Sequence, residues 1–130
     1  MAMTAHVVFS AIDPAQPATT SATMIEQVIR GVIGFQGLLM SDDVSMNALA
    51  GSIAERTRAI VEAGCDMVLH CNGKLEEMRE VAGQTPELSG QALVRAKAAL
   101  ASRKQPQPLD RTAARAELDA LIERAGMASA

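Results

Sequence analysis

Three short apolar runs recur along the chain: His6-Val7-Val8-Phe9, Gly37-Leu38-Leu39-Met40 and Asp66-Met67-Val68-Leu69-His70. Val8 and Leu39 lie 31 positions apart, and Leu39 and Val68 lie 29 apart. A repeat of about 30 residues is the length of a strand, a crossover helix and the next parallel strand. The runs are continuously apolar instead of alternating, the pattern of parallel strands covered on both faces. Parallel strands near residues 6–10, 37–41 and 66–71 are therefore expected, adjacent in that order.

The segments between the runs have the punctuation of helices. Thr23-Met24-Ile25-Glu26 has the form of a capping box, followed by Ile25, Val28, Ile29 and Val32 at helical spacing. Gly34 is placed to stop that helix in a left-handed conformation. Ser52-Ile53-Ala54-Glu55 is a second capping box, with Ile53, Thr57, Ile60 and Val61 as the inner stripe and Gly64 at the end. A third helix is expected from Lys74 to about Ala82, capped by Asn72. Thr85-Pro86-Glu87 predicts a further helix start, continued by Leu88, Ala92, Leu93, Ala96 and Leu100. After the break at Gln105-Pro106-Gln107-Pro108, Asp110 caps a last helix with Ala114, Leu118, Leu121 and Ile122 on one face and Gly126 closing it. The plain expectation for these last two helices is packing over the α/β part. The division is then 1–84 for the α/β units and 85–130 for a helical extension.

Three parallel strands are too few to close a barrel and leave two open edges. With the first run almost at Met1, the organisation suggests a piece of a larger α/β domain. The 130 residues suffice for one domain, and 48% hydrophobic with 21% charged residues is the balance of a folded globular chain. Twelve basic residues against 15 acidic ones, with no basic cluster, argue against a nucleic-acid partner. No apolar run approaches the ~20 residues of a bilayer span, so no membrane role is expected. The N-terminus has no basic region leading into an apolar one, as a signal peptide would. Cys65 and Cys71 do not make a disulfide framework, which points to a reducing, cytoplasmic setting. Their spacing, even with His70 added, does not suit a zinc site. Phe9 and Phe35 are the only aromatic residues, so little stacking surface exists for a sugar or a base.

The concentrated polar signal is Ser41-Asp42-Asp43, directly after the second apolar run. In parallel α/β architectures active sites form at the C-terminal ends of strands. Two carboxylates leaving a buried strand are costly unless exposed, hydrogen-bonded or paired. The alternative, that one of them only caps a turn, fits Asp43 better than Asp42. Strand parity does not separate the two. Residues 44–51 then form a loop or irregular turn over the strand ends. A metal site on Ser41-Asp42-Asp43 finds no third ligand at plausible spacing.

Residues 3–9 (Met-Thr-Ala-His-Val-Val-Phe), 34–46 (with Gly34-Phe35-Gln36-Gly37 and Ser41-Asp42-Asp43-Val44-Ser45-Met46) and 63–72 (with Ala63-Gly64-Cys65-Asp66 and Cys71-Asn72) together resemble bacterial β-N-acetylhexosaminidases of glycoside hydrolase family three. The resemblance covers residues 1–80, in order and at matching intervals. It implies that the α/β part is a partial (β/α)8 barrel, its last three βα units. It implies cytoplasmic removal of N-acetylglucosamine from recycled cell-wall muropeptides by a retaining mechanism, without cofactor or metal. The family's nucleophile is the first Asp of the motif, which carries over to Asp42 and assigns the choice over Asp43. The family's acid/base His and its sugar-binding residues belong to motifs absent from this sequence.

His6 then reads as a barrel-lining residue with a hydrogen-bonding task, His70 as packed, and Met46 as a buried residue, with pocket lining as its alternative. Such a chain would carry the nucleophile but neither the acid/base nor the sugar clamp, and its partner would be the missing N-terminal barrel part. The competing reading is a non-catalytic half-barrel module for binding or assembly, self-associated as a dimer through its strand edges.

Overall fold

The computed structural model describes residues 1–126. Strands β1 (Ala2–Met3), β2 (Leu39–Asp43) and β3 (Met67–Leu69) form one sheet, parallel throughout, in the order β1-β2-β3. The helix Thr23–Val32 joins β1 to β2 and α1 (Ile53–Glu62) joins β2 to β3. Helices α2 (Leu75–Gln84), α3 (Gly90–Ala101) and α4 (Arg111–Arg124) follow.

Order and direction are those expected, but the first strand lies four positions upstream of the His6-Phe9 run. Ala2 stands beside Leu39 and Met3 beside Met40, and the last rung is Thr4 N–H to the Met40 carbonyl at 2.9 Å. Beyond Thr4 the backbone leaves the ladder, so Val7, Val8 and Phe9 lie past the strand end and are about half exposed (50%, 49% and 47%). Their apolarity marks a surface, not a strand.

The middle strand carries the core. Leu39 and Val44 pack with Ile25 from the first helix, Ile60 and Ala63 from α1 and its end, and Leu49 and Cys65. Burial of each large aliphatic side chain here is worth about 1.5–3 kcal/mol. Ser52 caps α1 as expected, with the full capping box to Glu55. Gly64 ends it at φ 104°, a conformation that suits only glycine.

The first helix departs from expectation in two ways. Its turns are of π type, the Ile33 N–H reaching the Val28 carbonyl at 2.8 Å. The extra residue per turn rotates the stripe out of register, so Met24 and Ile25 are buried while Val32 is 85% exposed. The Thr23–Glu26 box does not form. Ser21 accepts the Met24 N–H instead, and its own hydroxyl bonds Asp13 at 2.6 Å.

Further along, Asn72 accepts the Lys74 N–H in the turn before α2 instead of capping the helix itself. Thr85 completes α2 by bonding back to the Val81 carbonyl, so the expected helix start at Thr85-Pro86 moves to Ser89 and Gly90. Asp110 caps α4 through the N–H groups of Thr112 and Ala113. That helix does not bury its apolar face: Leu118 and Leu121 remain 48% and 49% exposed, so packing over the α/β part is not what α4 does.

Candidate active site

The C-terminal end of β2 is built around an irregularity. Met40 pairs with Met67 and Asp43 with Leu69, three steps on one strand against two on the other. The extra residue is accommodated by Ser41, whose buried hydroxyl accepts the Leu69 N–H at 2.9 Å. Regular pairing resumes when the Val44 N–H reaches the Leu69 carbonyl at 2.9 Å. A bulge re-aims the side chains that follow it. Alternation counted from Leu39 therefore cannot be carried through to residues 42 and 43.

The two carboxylates that follow are held differently. Asp43 is fully employed: one oxygen accepts the Ser45 N–H (3.0 Å) and the Cys71 N–H (3.2 Å), and the other accepts the Ser45 hydroxyl (2.7 Å). Burial disfavours its ionised form, but the Ser45 hydroxyl, the two N–H groups and the proximity of His70 together outweigh that. Its pKa therefore lies below the ordinary carboxylate value. Asp42 is half-buried and its Oδ1 accepts the Asp43 N–H at 2.8 Å. Among the described residues no cation pairs with it.

His6 bridges two strand ends. Its Nδ1 lies 2.9 Å from the Thr19 hydroxyl and its Nε2 lies 2.9 Å from the Asp43 carbonyl. His70 is packed, and its Nε2 meets Glu77 at 3.1 Å. Glu77 also receives Asn72 and Lys74, and these three partners, Asn72 foremost, bring its pKa down to about 2. Met46 is exposed at 43%, not buried, because the loop carrying it turns outward. That loop is tied down by Arg56, whose guanidinium donates to the carbonyls of Gly51, Val44 and Met46. Cys65 is buried and Cys71 exposed, and both are free thiols.

Several of these residues carry no linear signal. Thr4 and Thr19 are brought together with His6 only by the fold, across 15 and 13 positions of sequence. At the opposite end of the sheet, Asp66 receives Arg30 and Arg95 at 2.9 Å each and the Leu39 N–H at 2.9 Å. The spacing of charges along the chain does not announce that cluster. The Glu77 partners could have been found, since Lys74 and Glu77 stand three apart at a helix start.

Residues 1–101 match the model of the glycosyl hydrolase family 3 N-terminal domain. The chain belongs to glycosyl hydrolase family 3. A beta-hexosaminidase of Alkalilimnicola ehrlichii is 54% identical over 72 residues, which are 54% of this chain and 20% of that protein. A beta-hexosaminidase of Xanthomonas campestris pv. campestris is 45% identical over 87 residues, 64% of this chain and 26% of the relative. The chain thus spans about a fifth to a quarter of these family 3 relatives. Among solved structures, the β-N-acetylhexosaminidase of Beutenbergia cavernae superimposes with a TM-score of 0.62 at 33% identity, covering 75% of this chain and 32% of that one. Native NagZ of Neisseria gonorrhoeae gives 0.61 at 38% identity, covering 75% and 28%. The parallel three-stranded sheet with its helices is consistent with a partial family 3 barrel domain.

Proposed function

We propose that this chain is the nucleophile-bearing portion of a retaining β-N-acetylhexosaminidase that removes terminal N-acetylglucosamine from cell-wall muropeptides. In this reading residues 1–84 are the last three βα units of a (β/α)8 barrel and residues 85–130 a helical extension, of which 127–130 lie outside the described residues. Asp42 attacks the anomeric carbon and expels the aglycone oxygen, and water then hydrolyses the glycosyl ester. The carrying observation is the unequal treatment of neighbouring carboxylates at one strand end. Both oxygens of Asp43 are committed to Ser45 and Cys71, whereas Asp42 has a single backbone N–H on Oδ1. A nucleophile needs uncommitted lone pairs.

The proton donor comes from elsewhere. The chain has two histidines, and both have an Nε2 partner, His6 on the Asp43 carbonyl and His70 on Glu77. The partner is the remainder of the barrel, docking on the two strand edges. Past the end of β1 lie Val7, Val8 and Phe9; on the other side, between β3 and α2, lies a groove of about 610 Å³ lined by Met67, Val68, Met78, Val81 and Leu88. No cofactor or metal enters this mechanism, and the free thiols of Cys65 and Cys71 favour a cytoplasmic setting. The same open edges favour a second reading, a non-catalytic half-barrel module paired as a dimer.

The test is to mix the purified chain with a separately produced N-terminal barrel part and follow hydrolysis of an aryl N-acetylglucosaminide. Activity that appears on mixing and vanishes with Asp42→Ala supports the proposal. Undiminished activity in Asp42→Ala overturns it. A well-defined dimer by sedimentation that refuses the N-terminal part favours the module.

A further inference from the structure

We infer that His6 is a positioning residue for the Asp42 carboxylate, acting through the backbone of Asp43. The inference rests on the reading of Asp42 as nucleophile, and it adds what holds that carboxylate in place.

Residue 43 is gripped from three sides. Its carbonyl receives His6 from the end of β1, and its carboxylate receives Ser45 from the following loop and Cys71 from beyond β3. Its remaining polar group, the N–H, is the one that holds Asp42 Oδ1 at 2.8 Å. The orientation of Asp42 therefore depends on where the backbone of residue 43 is kept. On the β1 side the backbone ladder has already ended, its last rung being Thr4 N–H to Met40 at 2.9 Å. At the level of Asp42 the imidazole of His6 takes over as the tie between the two strands.

The direction of the hydrogen bonds follows from the partners. A carbonyl only accepts, so His6 Nε2 carries a proton. In the neutral ring Nδ1 then accepts the Thr19 hydroxyl at 2.9 Å, and Thr19 in turn accepts the Thr4 hydroxyl at 2.9 Å. Thr19 is inaccessible to solvent and Thr4 is buried, so water has no ready access to replace either link. Thr4, Thr19, His6 and the Asp43 carbonyl form one directed chain from the sheet interior to the nucleophile's neighbour. Each donor has one acceptor, and the imidazole plane is set at both nitrogens.

The experiment is solution NMR on the whole 130-residue chain, without substrate. Long-range ¹H–¹⁵N spectra near neutral pH should show His6 as the Nε2–H tautomer with Nδ1 bare; the Nδ1–H tautomer overturns the inference. Three-bond couplings should show a single χ1 rotamer for Asp42. In His6→Phe that rotamer should average, and exchange of the Asp43 amide should quicken about tenfold, the size of one net hydrogen bond. His6→Gln, which can donate to the same carbonyl, should restore most of both. Ile60→Val, a core change away from the site, controls for general loss of stability and should leave Asp42 unaveraged. If His6→Phe does not fold, Thr19→Val, which releases the ring at Nδ1, carries the same expectation. An Asp42 rotamer unchanged in the folded variant overturns the positioning role. None of these readouts involves turnover, so an active Asp42→Ala enzyme would remove the nucleophile reading and leave this geometry standing.

Discussion

The Ser41 hydroxyl accepts the Leu69 N–H at 2.9 Å, standing in for a main-chain carbonyl where β2 and β3 fall out of register. Ser41 is completely buried, so no water can substitute. Ser41→Ala should leave the Leu69 N–H unpaired and cost about 1–3 kcal/mol. Urea unfolding of the two proteins checks this. An unchanged midpoint would show that the strand relaxes into regular pairing once the hydroxyl is gone.

Asp66 holds the other end of the sheet. Its carboxylate, with a side chain only 5% exposed, joins Arg30, Arg95 and the Leu39 N–H. Asp66→Ala would leave two guanidinium groups and a strand N–H without their acceptor, a loss of about 3–5 kcal/mol for a buried pair. Because Arg95 belongs to α3, that helix should also loosen, and limited trypsin digestion should cut at Arg95 sooner in Asp66→Ala than in the wild type. Equal digestion rates would mean that α3 is held by its apolar contacts alone.

The Glu77 cluster makes a prediction about pH. Asn72, His70 and Lys74 bring its pKa from an ordinary 4.5 to about 2. Between those values the unfolded chain binds a proton that the folded chain does not, so stability falls as pH falls. The contribution is complete above about pH 4.5 and is gone below about pH 2. Glu77→Gln should make thermal stability less steep across that window without abolishing the slope, since Asp13, Asp43 and Glu55 are also lowered.

The two thiols should separate cleanly. Burial drives the Cys65 pKa up to about 12, while Cys71 is exposed. At pH 8 a thiol reagent should modify Cys71 promptly, and Cys65 only as the core opens. Mass spectrometry of the partly labelled chain identifies the site, and rapid labelling at Cys65 would mean that this part of the core is open.

What the sequence made legible follows from which signals are local. Ser52 and Glu55 need only three positions to find each other, and the α1 start is where the pattern places it. The 29 positions from Leu39 to Val68 do span β2, α1 and β3, whereas the 31 counted from Val8 start outside the strand. β1 pairs Ala2 with Leu39, 37 positions on, so parallel order was expected from a spacing only half of which joins real strands. The first strand escapes the pattern because an apolar run does not by itself say whether it pairs in a sheet, and Val7, Val8 and Phe9 lie past the strand end, about half exposed. Asp42 and Asp43 were indistinguishable by alternation because a bulge intervenes, and only Ser41 and Leu69, 28 positions apart, create it. The Thr4, Thr19 and His6 chain joins residues whose only common property in the sequence is polarity.

The division of chemistry among groups sets the expected activity of the isolated chain. Retaining hydrolysis needs a nucleophile and an acid for the leaving group, and a positioned proton donor alone contributes about 10²–10⁴-fold. On the proposed reading the sugar-holding residues also come from the rest of the barrel, and without them near-attack geometry is not maintained. The purified 130 residues should therefore hydrolyse an aryl N-acetylglucosaminide no faster than their Asp42→Ala variant. In the reassembled protein the neighbouring carboxylates should part company. On the proposed assignment Asp42→Ala removes the attacking group and should abolish turnover. Asp43→Asn keeps an acceptor for Ser45 or Cys71, and should lose stability and part of the rate while remaining an enzyme. Asp42-dependent turnover by the isolated chain would mean that a proton donor lies within it. His70, whose Glu77 partner is a polar side chain and not a backbone carbonyl, would be the first residue to replace.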